Sequence, residues 1–420
     1  MYIKRNLFED LVKHLDNKEI TIVVGPRQAG KTTLLFKLQE YLKNKGEKTL
    51  FLNFDLDSDR AFFTTQTVLV NKIKLSFGNN PGFVFLDEIQ RKENAGLFLK
   101  GLYDMNLPYK FIVTGSGSLE LKEKIHESLV GRKRFFTLDP VSFPEFLNYQ
   151  TDYKFAGNEE EFLKIEFGRG RELLNEYMKF GGYPKVILAG AFTEKKAAIS
   201  DIFQSFLDKD ISALLHVEKS EDLARLIRLL AFQQGQLINY SELASSVGIA
   251  LPTVKRFLWY LEKTYIFERI YPFTRKRKEI VKAPVGYFRD LGMSNFSRGT
   301  FGQEQEFNPN SGLVFQNLIF LLLQKAKMDN QSTLNFWRRR DGAEVDFILE
   351  KDLKPIPVEV RYTNIIKPEI PRSLRTFIAK YAPEQAWIIH LGETSEIMID
   401  KTKVSIIPYY SYWRITKSLR

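Results

Sequence analysis

A short β-branched segment that runs directly into a glycine-containing loop is the feature that most constrains the fold. Residues 19–24 (EITIVV) favour a buried strand, and residues 25–32 (GPRQAGKT) follow without a gap. Leu34, Leu35 and Leu38 then recur at helical spacing. Strand, loop and helix in this order form the P-loop pattern, in which backbone N–H groups and the helix start surround a phosphate. The sequence therefore predicts a nucleotide site at the carboxyl end of a strand in a parallel α/β sheet.

The residues of this loop have separable roles in binding a nucleotide. The ammonium of Lys31 is expected to reach the β- and γ-phosphates, and the hydroxyl of Thr32 is expected to bind Mg²⁺. The predicted cofactors are therefore ATP and Mg²⁺. The predicted nucleotide-binding residues of the loop are Gly25, Pro26, Arg27, Gln28, Ala29, Gly30, Lys31, Thr32 and Thr33.

A second apolar run, residues 83–86 (FVFL), ends in two carboxylates. In P-loop enzymes a carboxylate at such a strand end holds the magnesium shell, and we expect Asp87 to take that role. The next residue, Glu88, is placed to orient and activate the attacking water as a general base. Residues 50–55 (LFLNFD) predict another strand of the same sheet.

A third predicted strand, residues 111–113 (FIV), ends in Thr114-Gly115-Ser116. A hydroxyl at this strand end, from Thr114 or Ser116, would be placed to sense the γ-phosphate or to position the attacking water. A plain turn from strand to loop explains the same residues equally well.

These segments together resemble a known family. The loop GPRQAGKT, residues 85–90 (FLDEIQ) and residues 114–118 (TGSGS) are similar to AAA-family ATPases of archaea and bacteria. The similarity is to the signal-transduction (STAND-like) branch of the AAA+ enzymes in particular. The resemblance implies that the chain hydrolyses ATP.

Further segments of the chain are similar to this branch in the same order. Residues 129–134 (LVGRKR) resemble its Gly-Arg segment, and residues 138–146 (LDPVSFPEF) resemble its Pro-containing turn from strand to helix. Residues 181–184 (GGYP) resemble the Gly-x-Pro element that packs near the adenine. The resemblance therefore implies a nucleotide contact for Pro184.

Arg132 in the Gly-Arg segment is a candidate arginine finger. A guanidinium supplied by a neighbouring subunit would stabilise the charge that develops during phosphoryl transfer. Such a finger requires self-association, which we expect for this chain. Two alternatives stay open, because residues 131–134 are equally consistent with a solvated turn or with contacts to nucleic-acid phosphates.

We expect an α/β chain with four parts. A P-loop parallel-sheet ATPase domain is followed by a helical lid, a winged helix-turn-helix and a C-terminal α/β nuclease-like domain. The lid is expected from the helical apolar spacing of residues 160–230. The predicted boundaries are 1–150, 151–222, 223–285 and 286–420.

The winged-helix prediction comes from two short helical segments that meet at a glycine. Ser241 is a plausible N-cap of the first segment, and Gly248 turns the chain into the second, residues 251–262. Residues 265–270 are expected to form the wing strands. The residues predicted to contact DNA lie on the second helix and in the basic run that follows: Thr253, Lys255, Arg256, Arg275, Lys276, Arg277 and Lys278.

The net charge of +11 indicates an anionic partner, and its placement favours DNA. Residues 251–300 carry 11 Lys and Arg against 4 Asp and Glu, a net charge of +7. The alternative is that the winged helix is a lever between domains that never touches DNA. A protein partner is possible in that case.

The last third resembles the PD-(D/E)xK nuclease core, in which two carboxylates on neighbouring strands hold Mg²⁺ against a phosphate. Asp346 and Glu359 occupy those positions here. The lysine of that motif is replaced by Arg361, which cannot give up its proton, and the usual helix glutamate is replaced by Gln316. These two departures favour a phosphate-binding or structural domain over an active nuclease.

Composition excludes several other classes of protein. The absence of cysteine excludes disulfide scaffolds, thiol nucleophiles and Cys-ligated metal sites. Residues 313–323, the most apolar stretch, are too few to span a bilayer, and residues 1–20 do not form a signal peptide. We therefore expect a cytoplasmic protein with no membrane partner. Three functions stay open: a DNA-remodelling ATPase, a nucleotide-dependent switch or scaffold, and an ATP-regulated Mg²⁺-dependent nuclease.

Overall fold

The computed structural model describes residues 2–115, 129–211, 220–275, 283–304, 310–326, 332–339, 341–367 and 369–417. The described strands form a five-stranded sheet, a two-stranded ribbon and a six-stranded sheet, in that order along the chain. The mixed α/β class with a parallel N-terminal sheet and a separate, β-rich C-terminal part is confirmed.

The N-terminal sheet has the strand order β2-β3-β4-β1-β5, and every neighbouring pair is parallel. Parallel pairing places all carboxyl ends of the strands at one edge. The loops that follow β1, β3 and β4 therefore share that edge. The strands are β1 (Ile20–Val24), β2 (Thr49–Asn53), β3 (Gly82–Asp87), β4 (Tyr109–Thr114) and β5 (Lys133–Thr137).

Helices cover this sheet and bury its apolar side chains. The predicted leucine spacing after the P-loop is confirmed, since Leu34, Leu35 and Leu38 are all fully buried. The helices are α1 (Leu7–Lys13), α2 (Lys31–Asn44), α3 (Asp57–Arg60), α4 (Gln66–Phe77) and α5 (Ala95–Asp104).

The middle of the described chain is helical. The first of these helices begins at a capping box, in which Ser142 and Glu145 satisfy each other's backbone N–H groups. The helices are α6 (Phe143–Gln150), α7 (Glu159–Ile165), α8 (Phe167–Phe180), α9 (Pro184–Leu188), α10 (Phe192–Ser205) and α11 (Ser220–Phe232).

Two helices then meet at Gly248, whose φ of 80° is the left-handed conformation that ends helices. The first is α12 (Tyr240–Val247) and the second is α13 (Leu251–Lys263). An antiparallel pair of strands follows, β6 (Phe267–Ile270) and β7 (Val285–Phe288). The N-cap of α12 is Asn239 rather than the predicted Ser241, because the Asn239 side chain accepts the N–H groups of Ser241 and Glu242.

The C-terminal sheet has the order β12-β13-β11-β10-β9-β8 and mixes parallel and antiparallel pairs. Its strands are β8 (Thr333–Arg338), β9 (Glu344–Lys351), β10 (Lys354–Val360), β11 (Gln385–His390), β12 (Ser395–Ile399) and β13 (Thr402–Pro408). The helices of this part are α14 (Leu291–Arg298), α15 (Ser311–Ala326), α16 (Arg372–Tyr381) and α17 (Trp413–Lys417). Among the described residues, no helix combines the length and apolarity that crossing a bilayer would need.

Glu145 is a buried carboxylate that joins three parts of the chain. It accepts the backbone N–H of Asn6 at 2.8 Å, and it pairs with Arg5 at 3.5 Å and with Lys325 of α15 at 3.2 Å. Burial alone would raise the pKa of Glu145, but Lys325, Arg5 and the N–H donors hold that pKa at about 2. The N-terminal segment, α6 and α15 are therefore held together by one ionised side chain.

Replacing Glu145 with Ala should lower the free energy of unfolding by about 3–5 kcal/mol, because it leaves the buried Arg5 guanidinium without its carboxylate. Urea denaturation at neutral pH measures the loss. Glu161→Ala removes an exposed carboxylate of α7 and is the matched control, with an expected change below about 0.5 kcal/mol. Equal stabilities of the two variants would contradict this role for Glu145.

The same variant series has a defined pH dependence. The pKa of Glu145 is lower in the folded chain than in the unfolded chain, so its stabilisation is present above the unfolded pKa and is lost as the pH falls towards about 2. The difference in unfolding free energy between wild type and Glu145→Gln should therefore shrink as the pH falls from about 5 to about 2, as measured by urea denaturation at each pH.

Candidate functional site

The P-loop is closely packed against the strand next to it. Gly25 has φ 153°, and a Cβ at this position would lie 2.1 Å from the carbonyl oxygen of Leu138, which follows β5. No side chain larger than hydrogen fits there, and this explains the glycine. Gly30 (φ 96°) then directs the chain into α2, so Lys31 is the first residue of that helix.

The side chain of Lys31 lies inside the loop. Its ammonium donates to the carbonyl oxygens of Gly25 at 3.1 Å and Pro26 at 2.8 Å, and the residue is only 6% exposed. A buried ammonium that is fixed above the loop can meet an anion bound by the loop N–H groups. The predicted position of Lys31 at the phosphate side is consistent with this geometry.

Asp87 at the end of β3 gathers polar groups from three other elements. Its carboxylate accepts the hydroxyl of Thr32 at 2.8 Å, the hydroxyl of Thr114 and, at 3.4 Å, the amide of Asn53. Asp87 itself is fully buried. The sheet thus brings together the P-loop, the end of β3 and the end of β4, as the sequence predicted for Thr32, Asp87 and Thr114.

The Thr32–Asp87 pair fits a magnesium ion. Neighbouring oxygen ligands of an octahedral Mg²⁺ lie about 2.9 Å apart, because each is about 2.0–2.1 Å from the ion. The two oxygens here are 2.8 Å apart and belong to a hydroxyl and a carboxylate, the ligand types that P-loop enzymes use. These two residues would hold the ion, and the ion would supply positive charge that offsets the charge of the phosphates.

Glu88 has an unusual backbone and a perturbed carboxyl group. Its φ of 57° is the left-handed region, which a non-glycine residue rarely adopts and which is typical of functional sites. Burial raises the pKa of Glu88, and the charge of Lys31 opposes that shift. The Glu88 N–H donates to Thr114 at 3.3 Å, while its carboxylate accepts the side-chain amide of Gln90.

Thr114 therefore contacts both acidic residues of the site. The other predicted hydroxyl at this strand end, Ser116, lies outside the described residues.

Pro184 lies beside the P-loop, and its contact with the adenine stays a prediction. Its Cγ is 3.8 Å from the position that a Cβ on Gly30 would occupy. The preceding Gly182 is held on both sides, since its N–H donates to Asp290 at 2.6 Å and its carbonyl accepts Val141 N–H at 2.7 Å. Burial raises the pKa of Asp290 to about 6, although the N–H groups of Gly182, Met293 and Gly292 act to lower it.

Arg132 lies at the other edge of the sheet. Its carbonyl accepts the N–H of Ile20, so it is beside the amino end of β1, about 13 Å of strand from the P-loop. The Arg132 guanidinium pairs with Asp104 at 2.9 Å. Arg132 therefore does not reach the P-loop of its own chain, and a role in trans stays a prediction.

Three residues of the site were not predicted from the sequence. Arg5 is buried and donates to the carbonyl of Ala29 in the P-loop at 2.9 Å and to that of Asp139 at 2.5 Å. Asn53 lies directly opposite Asp87 in the parallel register, and Gln90 contacts Glu88. Parallel pairing of the LFLNFD and FVFLDE strands would have located Asn53, whereas nothing in the local sequence points to Arg5.

The residues predicted to contact DNA differ in accessibility. Lys255 and Arg256 are exposed on α13, and Thr253 is half-buried at its start. Arg275 instead pairs with Glu350 of β9 at 2.6 Å, so it is engaged within the chain. Lys276, Arg277 and Lys278 lie outside the described residues.

The four residues of the predicted nuclease-like site come together between α15, β9 and β10. Asp346 accepts the side-chain amide of Gln316 at 2.7 Å, and Arg361 donates to Glu359 at 2.6 Å. Burial raises the pKa of Asp346 to about 6 and that of Glu359 well above its ordinary value. The described residues contain no group of three or more His, Cys, Asp or Glu side chains placed to hold a metal ion.

Comparisons with known protein families divide the chain into three matched segments. Residues 17–147 match a family model described as an AAA domain. Residues 171–304 and 311–412 match two models described as domains of unknown function. The AAA match supports a nucleotide-binding P-loop ATPase domain, and the other two descriptions do not address the winged helix or the nuclease-like domain.

Similar proteins occur in distant organisms. The chain is 27% identical over 362 residues to an uncharacterised protein of Methanocaldococcus jannaschii, with coverage of 84% of this chain and 77% of the relative. It is 26% identical over 374 residues to an uncharacterised protein of Haemophilus influenzae, with coverage of 86% and 87%. An uncharacterised protein of Mycobacterium tuberculosis is 25% identical over 393 residues, with coverage of 93% and 80%.

Solved structures show only weak similarity to this chain. One is the replication initiator DnaA bound to AMPPCP and single-stranded DNA, which has a TM-score of 0.30 and is 15% identical. The match covers 62% of this chain and 90% of the DnaA chain. Cdc6p from Pyrobaculum aerophilum matches with a TM-score of 0.28 at 12% identity, covering 76% and 97%. Both TM-scores are too low for these structures to inform the fold or the function of this chain.

The contact between Arg5 and the P-loop leads to a prediction about nucleotide affinity. Arg5→Lys keeps a charge beside Glu145 but cannot reach both carbonyls, so ATP affinity should fall about tenfold or more, while the thermal midpoint should fall less than in Glu145→Ala. Fluorescence titration with a labelled ATP analogue measures the affinity. Arg60→Lys, at an exposed ion pair of the same domain, is the control. Wild-type affinity in Arg5→Lys would show that the P-loop does not depend on this residue.

Proposed function

We propose that this chain is a Mg²⁺-dependent ATPase that couples ATP hydrolysis to a movement of its helix-turn-helix on DNA. The observation that carries the ATPase part is the assembly of Lys31, Thr32, Asp87 and Glu88 at one edge of a parallel sheet. The AAA-domain match over residues 17–147 supports it.

The chain's own residues account for each requirement of hydrolysis. The loop N–H groups and Lys31 bind the β- and γ-phosphates, while Thr32 and Asp87 hold the ion. Glu88 accepts a proton from the attacking water, whose oxygen forms a bond to the γ-phosphorus. The bond between the γ-phosphorus and the oxygen that joins it to the β-phosphate then breaks, which releases ADP and phosphate. Thr114, which contacts both acidic residues, senses the γ-phosphate; Ser116 is the alternative for this role.

Arg132 is proposed as a finger for a neighbouring subunit. Its location at the sheet edge opposite its own P-loop is compatible only with action in trans, which requires self-association. The ion pair with Asp104 would have to open or rearrange at the subunit contact.

The proposed parts of the chain are an ATPase core (1–150), a helical lid (151–222), a winged helix (223–285) and a nuclease-like domain (286–420). A junction around Arg289 supports coupling between them. Arg289, which follows β7, donates hydrogen bonds to Asp139 next to β5 and to Glu268 of β6. Glu268 also accepts a hydrogen bond from the side-chain amide of Gln324 on α15. A change at the nucleotide edge would reach the helix-turn-helix through these bonds.

The DNA partner is proposed from local charge. Lys255 and Arg256 are exposed on α13, within a region of net charge +7. Exposed basic residues at the start of the second helix of a helix-turn-helix are suited to phosphate contacts.

A nucleotide-dependent switch or scaffold is the second candidate function. The Arg275–Glu350 pair and the Arg289 junction favour it, because these ion pairs connect the segment around the helix-turn-helix to other parts of the chain, so that it could transmit a movement between them. In that case ATP would select one conformation and the output would be contact with a protein partner.

Variants of the P-loop and of Glu88 test the ATPase. Lys31→Ala should lose ATP binding, because the phosphates lose their fixed cation. Glu88→Gln should bind ATP with an affinity close to wild type but hydrolyse it about 10²–10⁴-fold more slowly, since the general base is removed. Phosphate release and ATP binding are measured separately, and Glu47→Gln at an exposed site is the control. Normal turnover in Glu88→Gln would exclude Glu88 as the base.

Variants on α13 test the DNA partner. Lys255→Ala/Arg256→Ala should weaken DNA binding and reduce the slope of log K against log salt by about 1.8, the loss expected for two phosphate contacts on duplex DNA. Lys43→Ala/Lys45→Ala on α2 removes the same charge from another exposed helix end and is the matched control. Binding and ATPase rate are measured with single-stranded, duplex and forked DNA. An ATPase rate that does not change when DNA is added, together with a DNA affinity that does not depend on salt concentration, would favour the switch.

A further inference from the structure

A cluster in the C-terminal part consists of Gln316 on α15, Asp346 on β9, Glu359 on β10 and Arg361, which directly follows β10 and is exposed. We call it the carboxylate cluster. Two of its members, Asp346 and Glu359, are the acidic pair to which the sequence resemblance assigns a divalent cation. The contacts of the cluster in this chain indicate a different use.

Both oxygens of Asp346 already accept hydrogen bonds from within the chain. Oδ1 accepts the Gln316 amide at 2.7 Å, and Oδ2 accepts the backbone N–H of Val360 at 2.7 Å. Each oxygen keeps a second lone pair, and carboxylates that bind metals are commonly hydrogen-bonded as well, so these bonds alone do not exclude an ion. They hold Asp346 against α15 and β10, and the Val360 N–H cannot rotate away because it belongs to the strand.

Glu359 is also engaged, by a cation that belongs to the chain. Its Oε1 accepts Arg361 Nη2 at 2.6 Å, and the Glu359 side chain is only 5% exposed. The second oxygen, Oε2, is buried and has no hydrogen-bond partner among the described residues. A guanidinium keeps its charge at every physiological pH, so a divalent cation next to Glu359 would meet a permanent like charge.

The cluster lies where the helix-turn-helix meets the C-terminal part. A Cβ on Gly235 would lie 2.6 Å from Gln316 Oε1, and the Gln234 amide donates to the carbonyl of Leu313 at 2.9 Å. Gln316 thus has the turn before α12 on one side and Asp346 on the other. The amide, unlike a glutamate, adds no negative charge to this crowded position.

We propose that Arg361 is a built-in replacement for the metal ion, so that the carboxylate cluster binds no divalent cation and instead locks α15 to β9 and β10. Arg361 neutralises the acidic pair, and Gln316 carries the connection to α15. This inference is independent of the proposed ATPase, since it concerns residues that do not contact the P-loop. It excludes metal-dependent cleavage of nucleic acid at this cluster.

The test measures Mn²⁺ binding to the full chain without nucleotide, by calorimetry and by thermal unfolding. All proteins carry Asp87→Asn, so that the P-loop site does not contribute. The chain with this change alone should bind no Mn²⁺ at the cluster. Adding Arg361→Ala should lower the unfolding midpoint and create a cation requirement, so that Mn²⁺ raises the midpoint of that protein and not of its parent.

Two further proteins complete the test. Gln316→Glu/Arg361→Lys should gain a Mn²⁺ site that its parent lacks, because both departures from the acidic site are reversed. Lys354→Ala removes an exposed pair with Glu384 and should gain no response to Mn²⁺.

The outcomes separate the possibilities clearly. Binding of Mn²⁺ by the parent that Glu359→Gln abolishes would overturn the proposal, because the cluster would then be a metal site as it stands. The absence of any gain in both the Arg361→Ala and Gln316→Glu/Arg361→Lys proteins would also overturn it, since Arg361 would not be what occupies the cation position. If the double variant does not fold, Arg361→Ala alone decides.

Discussion

Parallel pairing of β1, β3 and β4 is the constraint on which the candidate site depends. It brings the loop after β1, the carboxylate at the end of β3 and the hydroxyl at the end of β4 to one edge, although they are far apart along the chain. Asp87 can then accept hydrogen bonds from Thr32 and Thr114 at once. A slip of one residue in β3 would turn Asp87 to the other face of the sheet and remove the site.

The pKa values of buried carboxyl groups shift in opposite directions at two places in this molecule. Glu145 stays ionised because Arg5, Lys325 and backbone N–H groups surround it, and its pKa falls to about 2. Asp346 and Glu359 share a pocket with a single guanidinium, and burial raises both pKa values. The number of donors that reach each carboxylate, rather than its depth, decides which form is favoured.

Local patterns were sufficient to predict the P-loop, the neighbouring strands and the buried leucines of α2, because these follow from strand and helix periods and from the loop's glycines. Arg5 could not be predicted, since its partners Ala29 and Asp139 become neighbours only after the sheet has formed. Arg275 was predicted to face DNA, but its contact with Glu350 depends on how β9 lies beside the ribbon. The sequence favours Ser241 as the N-cap, because serine is a common N-cap before an apolar helical pattern. In the structure the side-chain oxygen of Asn239 accepts the first free N–H groups of α12 instead.

The Arg289 junction makes the N-terminal segment depend on residues that come much later in the chain. Asp139 and Glu145 belong to the segment that matches the AAA family, but Arg289 and Lys325, which neutralise them, are contributed by residues more than a hundred positions later. A gene fragment that encodes the N-terminal segment alone would leave Asp139 without Arg289, and would leave Glu145 with Arg5 but without Lys325. The N-terminal segment without the later residues would therefore lose these ion pairs, so the three matched segments depend on one another for the pairing of their charges.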